Sequence, residues 1–163
     1  LRLNLQRIAI LIAGFCGGVI PVGAQSMPPS IAGKWRIVRI LPTHNPQCWN
    51  EERARTLLGT TLTYRTRMMI WHGGLEPINE VFSRTLTRRA FQDEYKVDLA
   101  ELGIAAATVT EFDLQHEDAD VTGSTIEVPG DTIVVAGPGK IVVSACGVFY
   151  SAVRVTGKAD GER

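Results

Sequence analysis

Three histidines, His44, His72 and His116, are the candidates for general-base or metal chemistry in this chain, and they fall in three different loops with no paired spacing. No His-x-His, His-Glu-x-x-His or Gly-x-Ser-x-Gly pattern occurs, so neither a zinc site nor a nucleophile elbow can be written from the residues. The densest polar stretch is EFDLQHEDAD, residues 111–120, which gathers Glu111, Asp113, His116, Glu117, Asp118 and Asp120. Oxygen ligands at that density suit calcium, and a histidine among acids suits zinc. The stretch lacks the glycine-turned Asp-x-Asp-x-Asp-Gly geometry, however, and reads as a solvated acidic turn beyond a strand. Two carboxylates could still cleave a glycosidic bond, since the decisive distance is three-dimensional. AGPGK at 136–140 ends in Gly-Lys without the spacing of a phosphate loop, and strands flank it on both sides, so it reads as a hairpin turn. No catalytic residue, metal or cofactor is expected.

The remaining reactive side chains are Cys16, Cys48 and Cys146. Residues 1–24 carry Arg2 and Arg7, then an uncharged apolar run from Ile8, then Val22-Gly23-Ala24, the order of a secretory signal peptide. Cleavage after Ala24 is the expectation, with an uncleaved anchor or lipidation of Cys16 as alternatives. Export would place the protein in the periplasm or outside the cell. Cys48 and Cys146 would then form a disulfide, the alternative being two buried thiols. Without Arg2 and Arg7 the chain keeps 15 basic against 17 acidic side chains. That balance offers no basic footprint for nucleic acid and no polybasic run for anionic lipid, and no membrane span is expected after processing.

The elements that must position these residues are mostly strands. Residues 25–33 form a short arm, 34–157 the folded domain and 158–163 a disordered tail. TTLTYRTRMMIW, residues 60–71, alternates as one half-buried strand with Leu62, Tyr64, Met68 and Ile70 on one face. EVFSRTL and ATVTEFDL alternate less strictly. STIEV, DTIVVA, KIVVSA and GVFYSAVRV follow with Gly- and Pro-marked connections, the mark of antiparallel neighbours. NEERARTLLG (50–59) reads as a short helix capped by Asn50 and stopped at Gly59. Residues 88–102 fit a short helix or a strand with an irregular connection, and the helix is the expectation. About eight strands result, enough for a single closed antiparallel β-barrel with one or two short helices. Another antiparallel barrel or a sandwich would satisfy the same pattern.

Gly33-Lys34-Trp35 at the start of the first strand resembles the Gly-x-Trp signature of lipocalins and their calycin relatives. The resemblance implies an eight-stranded barrel whose narrow end is closed by Trp35, with an arginine near the end of the last strand over the ring, and Arg154 stands at the matching place. It implies a small apolar or amphipathic ligand held by inward residues, for which Leu62, Tyr64, Met68 and Phe82 are the candidates. Arg39 either points inward to an anionic head group or is turned to solvent by a bulge. The second reading is a protein-interaction role in the cell envelope, such as a hydrolase inhibitor or immunity protein, with LPTHNPQCW and WHGGLEPINE as contact loops.

Overall fold

A computed structural model describes residues 26–44, 50–71, 73–116 and 129–156. Among the described residues nine strands and two helices follow one another: β1 Gly33–Ile40, α1 Glu51–Arg55, β2 Thr61–Arg65, β3 Met68–Trp71, β4 Gly74–Pro77, β5 Glu80–Thr87, α2 Arg88–Tyr95, β6 Thr108–Gln115, β7 Thr132–Gly137, β8 Lys140–Ala145 and β9 Val148–Arg154. All nine strands share one antiparallel sheet in the order β4-β3-β2-β1-β9-β8-β7-β6-β5. The sheet curls into a half-barrel. This corrects the expected closed eight-stranded barrel, because β4 and β5, the two ends of the sheet order, have no ladder between them. The physical reason lies in β4, which is only four residues long and ends at Pro77, a residue with no N–H to donate.

Two residues, Ile78 and Asn79, nevertheless link the two ends, so the chain itself draws the edges together at that point. The Ile78 N–H donates to the Arg67 carbonyl at 3.0 Å and the Asn79 N–H to the Gln115 carbonyl at 2.8 Å. The linker is thus fastened to both flanks.

Residues 60–71 are a second correction. They form a hairpin, β2 and β3, turned by Thr66 and Arg67, with Arg67 in the left-handed region at φ 57° and Arg65 opposite Met68. A turn without glycine or asparagine leaves no mark in a pattern of alternation. Its consequence is a change of phase: Leu62 lies opposite Trp71 and Tyr64 opposite Met69, so Met69 shares the inner face while Met68 and Ile70 take the outer one. Residues 74–77, expected as loop, form β4.

The inner face buries Trp35, Ile37, Leu62, Tyr64, Met69, Phe112, Ile133, Ile141, Val143 and Tyr150. Met27 and Ile31 of the arm join that cluster at one place, and Ala54 and Leu57 of the α1 region at another. Helix α1 is capped as expected, the Asn50 side chain accepting from the Arg53 N–H at 2.8 Å. Part of the outer face is covered too. Helix α2, started by Thr87 and ended by Lys96 in the left-handed region, packs Phe91 against Phe149, with ring centroids 6.1 Å apart. Val97, Leu99, Leu102 and Ile104 of the following segment complete this second core over Val109, Val134 and Val142. Strands β7 to β9 are therefore buried on both faces, which explains their apolar runs. At about 1.5–3 kcal/mol for each fully buried large apolar side chain, the two cores supply the main driving force.

Candidate functional site

Three polar constellations stand on this frame. The first is at the start of β1. Arg154 lies opposite Trp35 in the β1–β9 ladder, and its guanidinium carbon sits 4.2 Å from the indole centroid. The same guanidinium donates to the carbonyls of Ala32 and, at 3.0 Å, Ser30, while the Trp35 indole N–H donates to the Ile31 carbonyl at 2.7 Å. Arg154 and Trp35 thereby pin the arm. Gly33 has φ 115°, and a Cβ there would come within 2.7 Å of the Arg154 guanidinium, so a glycine is required.

The second constellation lies on the outer face beneath α2. Alternation along β6 puts Glu111 outward, and α2 then covers it completely. Arg84 of β5, directly opposite, donates Nε to one Glu111 oxygen at 2.6 Å, and the Tyr95 hydroxyl donates to the other at 2.7 Å. Arg84 also pairs with Glu94 at 2.6 Å. Burial raises the Glu111 carboxyl above its ordinary range against the pull of Tyr95 and Arg84. Burial and the bond to Glu111 likewise push the Tyr95 hydroxyl upward. Both carboxylate oxygens are engaged and out of solvent, so this cluster clamps α2 to the sheet. Its burial also corrects the reading of residue 111 as part of a solvated acidic turn.

The third constellation closes the seam. His116, its side chain 12% exposed, has Nδ1 2.7 Å from the Pro77 carbonyl oxygen and Nε2 2.8 Å from an Asp131 carboxylate oxygen. A carbonyl and a carboxylate only accept, so the two bonds form together when the ring is the imidazolium. The bond to Asp131 raises the His116 pKa above its ordinary value. Next to it the Tyr64 hydroxyl donates to the Gly130 carbonyl at 2.9 Å; its burial, with the Asp131 charge nearby, raises its pKa well above the usual value. His116 thus joins the end of β4 to the segment before β7, across the gap that no ladder spans.

Of the residues expected to hold a ligand, Leu62 and Tyr64 are buried on the inner face, but Arg39, Met68 and Phe82 are not. A bulge between Ile37 and Arg39 turns Arg39 to solvent. The hairpin phase puts Met68 on the outer face. Phe82 is exposed beside Asp113 on the outer side of β5, the end strand of the sheet. Cys146 is buried in the two-residue β8–β9 turn at φ 50°. Cys48, His72 and residues 117–128, including Glu117, Asp118, Asp120 and the expected strand STIEV, lie outside the described residues, as do residues 1–25 and the tail from 157. His44 is exposed and pairs with Glu101 at 2.8 Å, which holds the Glu101 carboxyl below its usual range.

The Arg84–Glu111–Tyr95 clamp was missed in the sequence because its partners come from β5, α2 and β6; only Glu111 drew notice there, and for its acidic neighbours. Among the described residues no three His, Cys, Asp or Glu side chains converge as a metal-binding group. No helix among them is long and apolar enough to cross a membrane. Comparison with protein-family models, with curated proteins and with solved structures finds no match for this chain.

Proposed function

We propose that the protein is an exported, non-catalytic binding module that acts on a partner protein in the cell envelope, as inhibitors and immunity proteins do. The observation that carries this reading is the occupation of the inner face by the protein's own parts. The arm and the α1 region pack into it, and the polar tips of Trp35, Tyr64 and Tyr150 are spent on the carbonyls of Ile31, Gly130 and Ala54. A ligand would have to displace these bonds, each worth about 0.5–1.5 kcal/mol net. Recognition then falls to the outer surface. Export through residues 1–24 and a Cys48–Cys146 disulfide belong to the same proposal.

A second reading, the lipocalin-like carrier of a small amphipathic molecule, draws on a different observation. On the Phe112 side of the β5–β6 hairpin, Ser83, Thr85 and Thr110 are exposed, so the inner face opens to solvent at that end. Native mass spectrometry of the protein purified gently from its own envelope separates the two. A protein-sized increment over the denatured mass is expected. A small-molecule increment instead would overturn the partner reading in favour of the carrier.

A further inference from the structure

Helix α2 and the segment after it lie over the β5–β9 part of the outer face, with Gly103 against the Lys140 side chain at the border; among the described residues no segment covers the outer face of β1 to β4. Its described charged positions are cationic. Lys34 and Arg36 flank the inward Trp35, Arg65 follows the inward Tyr64, and Lys140 precedes the inward Ile141. The β1 bulge adds Arg39, carried to the same side opposite Ser151.

Register places these residues together. Arg36 lies opposite Thr61 on one side and Val153 on the other, Lys140 is also opposite Val153, and Lys34 is opposite Thr63. Alternate residues of a strand stand about 7 Å apart and neighbouring strands about 4.8 Å, so the five cations form one array. Among the described residues none of the five side chains makes a hydrogen bond or ion pair. By contrast Arg55, Arg84, Arg88 and Arg89 each have a carboxylate partner. No described Asp or Glu occupies an outward position of β1 to β4, since Glu76 lies opposite the buried Met69. The formal net charge of the chain is zero, so a face of one sign is a separation of charge within the molecule.

Apolar groups stand among the cations: Val38 is 47% exposed, Val153 38% and Leu75 62%. A nucleic acid would leave those groups in water, and the face has no described aromatic ring on which a base could stack. An acidic protein would be expected to meet an aromatic anchor or a pocket, and the described face has neither Trp nor Tyr. Exposed valines and a leucine standing among long cationic side chains match anionic headgroups over an apolar layer. We propose that this face docks on an anionic phospholipid bilayer, with Lys34, Arg36, Arg39, Arg65 and Lys140 on the headgroup phosphates. The lack of a polybasic run in the sequence is no objection, because strand alternation spreads such a patch over every second residue.

The test is co-sedimentation of the protein, as isolated from its own host, with two kinds of vesicle. One is phosphatidylcholine alone; the other has one part phosphatidylglycerol to two of phosphatidylcholine. At about 0.1 M salt the protein should prefer the anionic vesicles, and the preference should vanish at about 1 M, where the screening length falls to about 3 Å. Arg36→Gln and Arg65→Gln should each weaken the anionic partition about fivefold. Arg89→Gln, on the almost fully exposed face of α2, should leave it unchanged. Since neither Arg36 nor Arg65 holds a side-chain bond, unchanged melting of both variants is expected and checks the fold. Equal partition into the two lipids, or equal loss in all three variants, overturns the proposal; the former leaves an acidic protein as the partner of this face.

Discussion

Glu111 keeps a carboxylate out of water because Arg84 and Tyr95 take up both of its oxygens. Breaking such a buried pair from one side strands the remaining charge. Arg84→Met should therefore destabilise the protein by about 3 kcal/mol at pH 7. The pH dependence has a definite sign. Burial already lifts the Glu111 pKa above its unfolded value, and losing Arg84 lifts it further. A group with a raised folded pKa contributes its full stability below the unfolded value, about 4.3, and loses it as pH rises through the folded one. The deficit of the variant should then be small at pH 4 and complete at pH 7, which urea unfolding at the two values measures. In the sequence, Glu111 is indistinguishable from Asp113 two residues on, which stays partly exposed on the same side of β6. What separates them is how far α2 reaches over the sheet, a matter of tertiary packing. Trp35 and Arg154 were legible because each sits at a strand end fixed by a short motif and by chain order.

Among the elements, the seam between β4 and β5 depends on one side chain. His116 ties Pro77 to Asp131, with the Glu76 carboxylate as the other charge that raises its pKa. The folded pKa exceeds the unfolded value of about 6.5, so this contribution is complete below that value and is lost as pH rises through the folded pKa. His116→Gln should cost about 1–3 kcal/mol at pH 6, and the difference from the parent should shrink at pH 9. Hydrogen exchange at the Ile78 and Asn79 amides should quicken in the variant at pH 6, because those amides fasten the linker beside the clasp. Most strands were readable from alternation and from their turns. The β2–β3 hairpin was not, since Thr66 and Arg67 turn the chain with residues that strands also accept. That one missed turn exchanged inner for outer faces and moved Met68 and Ile70 out of the expected wall.

At the scale of the molecule, the closed barrel was inferred from the number of strands, but closure depends on whether the end strands can pair, and β4 is too short. Antiparallel neighbours were legible because connections such as Pro138-Gly139 and Cys146-Gly147 allow nothing else. One consequence of the two-residue link Ile78–Asn79 remains. The spatial order β4-β3-β2-β1-β9-β8-β7-β6-β5 is the chain order taken around a ring, with β1 beside β9 and the break at that link. A circular permutant that begins at Asn79, ends at Ile78 and joins the former ends would be a plain meander, every ladder lying between consecutive strands. The β1–β9 ladder, whose strands now stand more than a hundred residues apart in sequence, would then join consecutive strands. Lower contact order predicts faster refolding of the permutant in stopped-flow, with the same native contacts at the end. The natural order of the strands is one of several ways to cut the same ring.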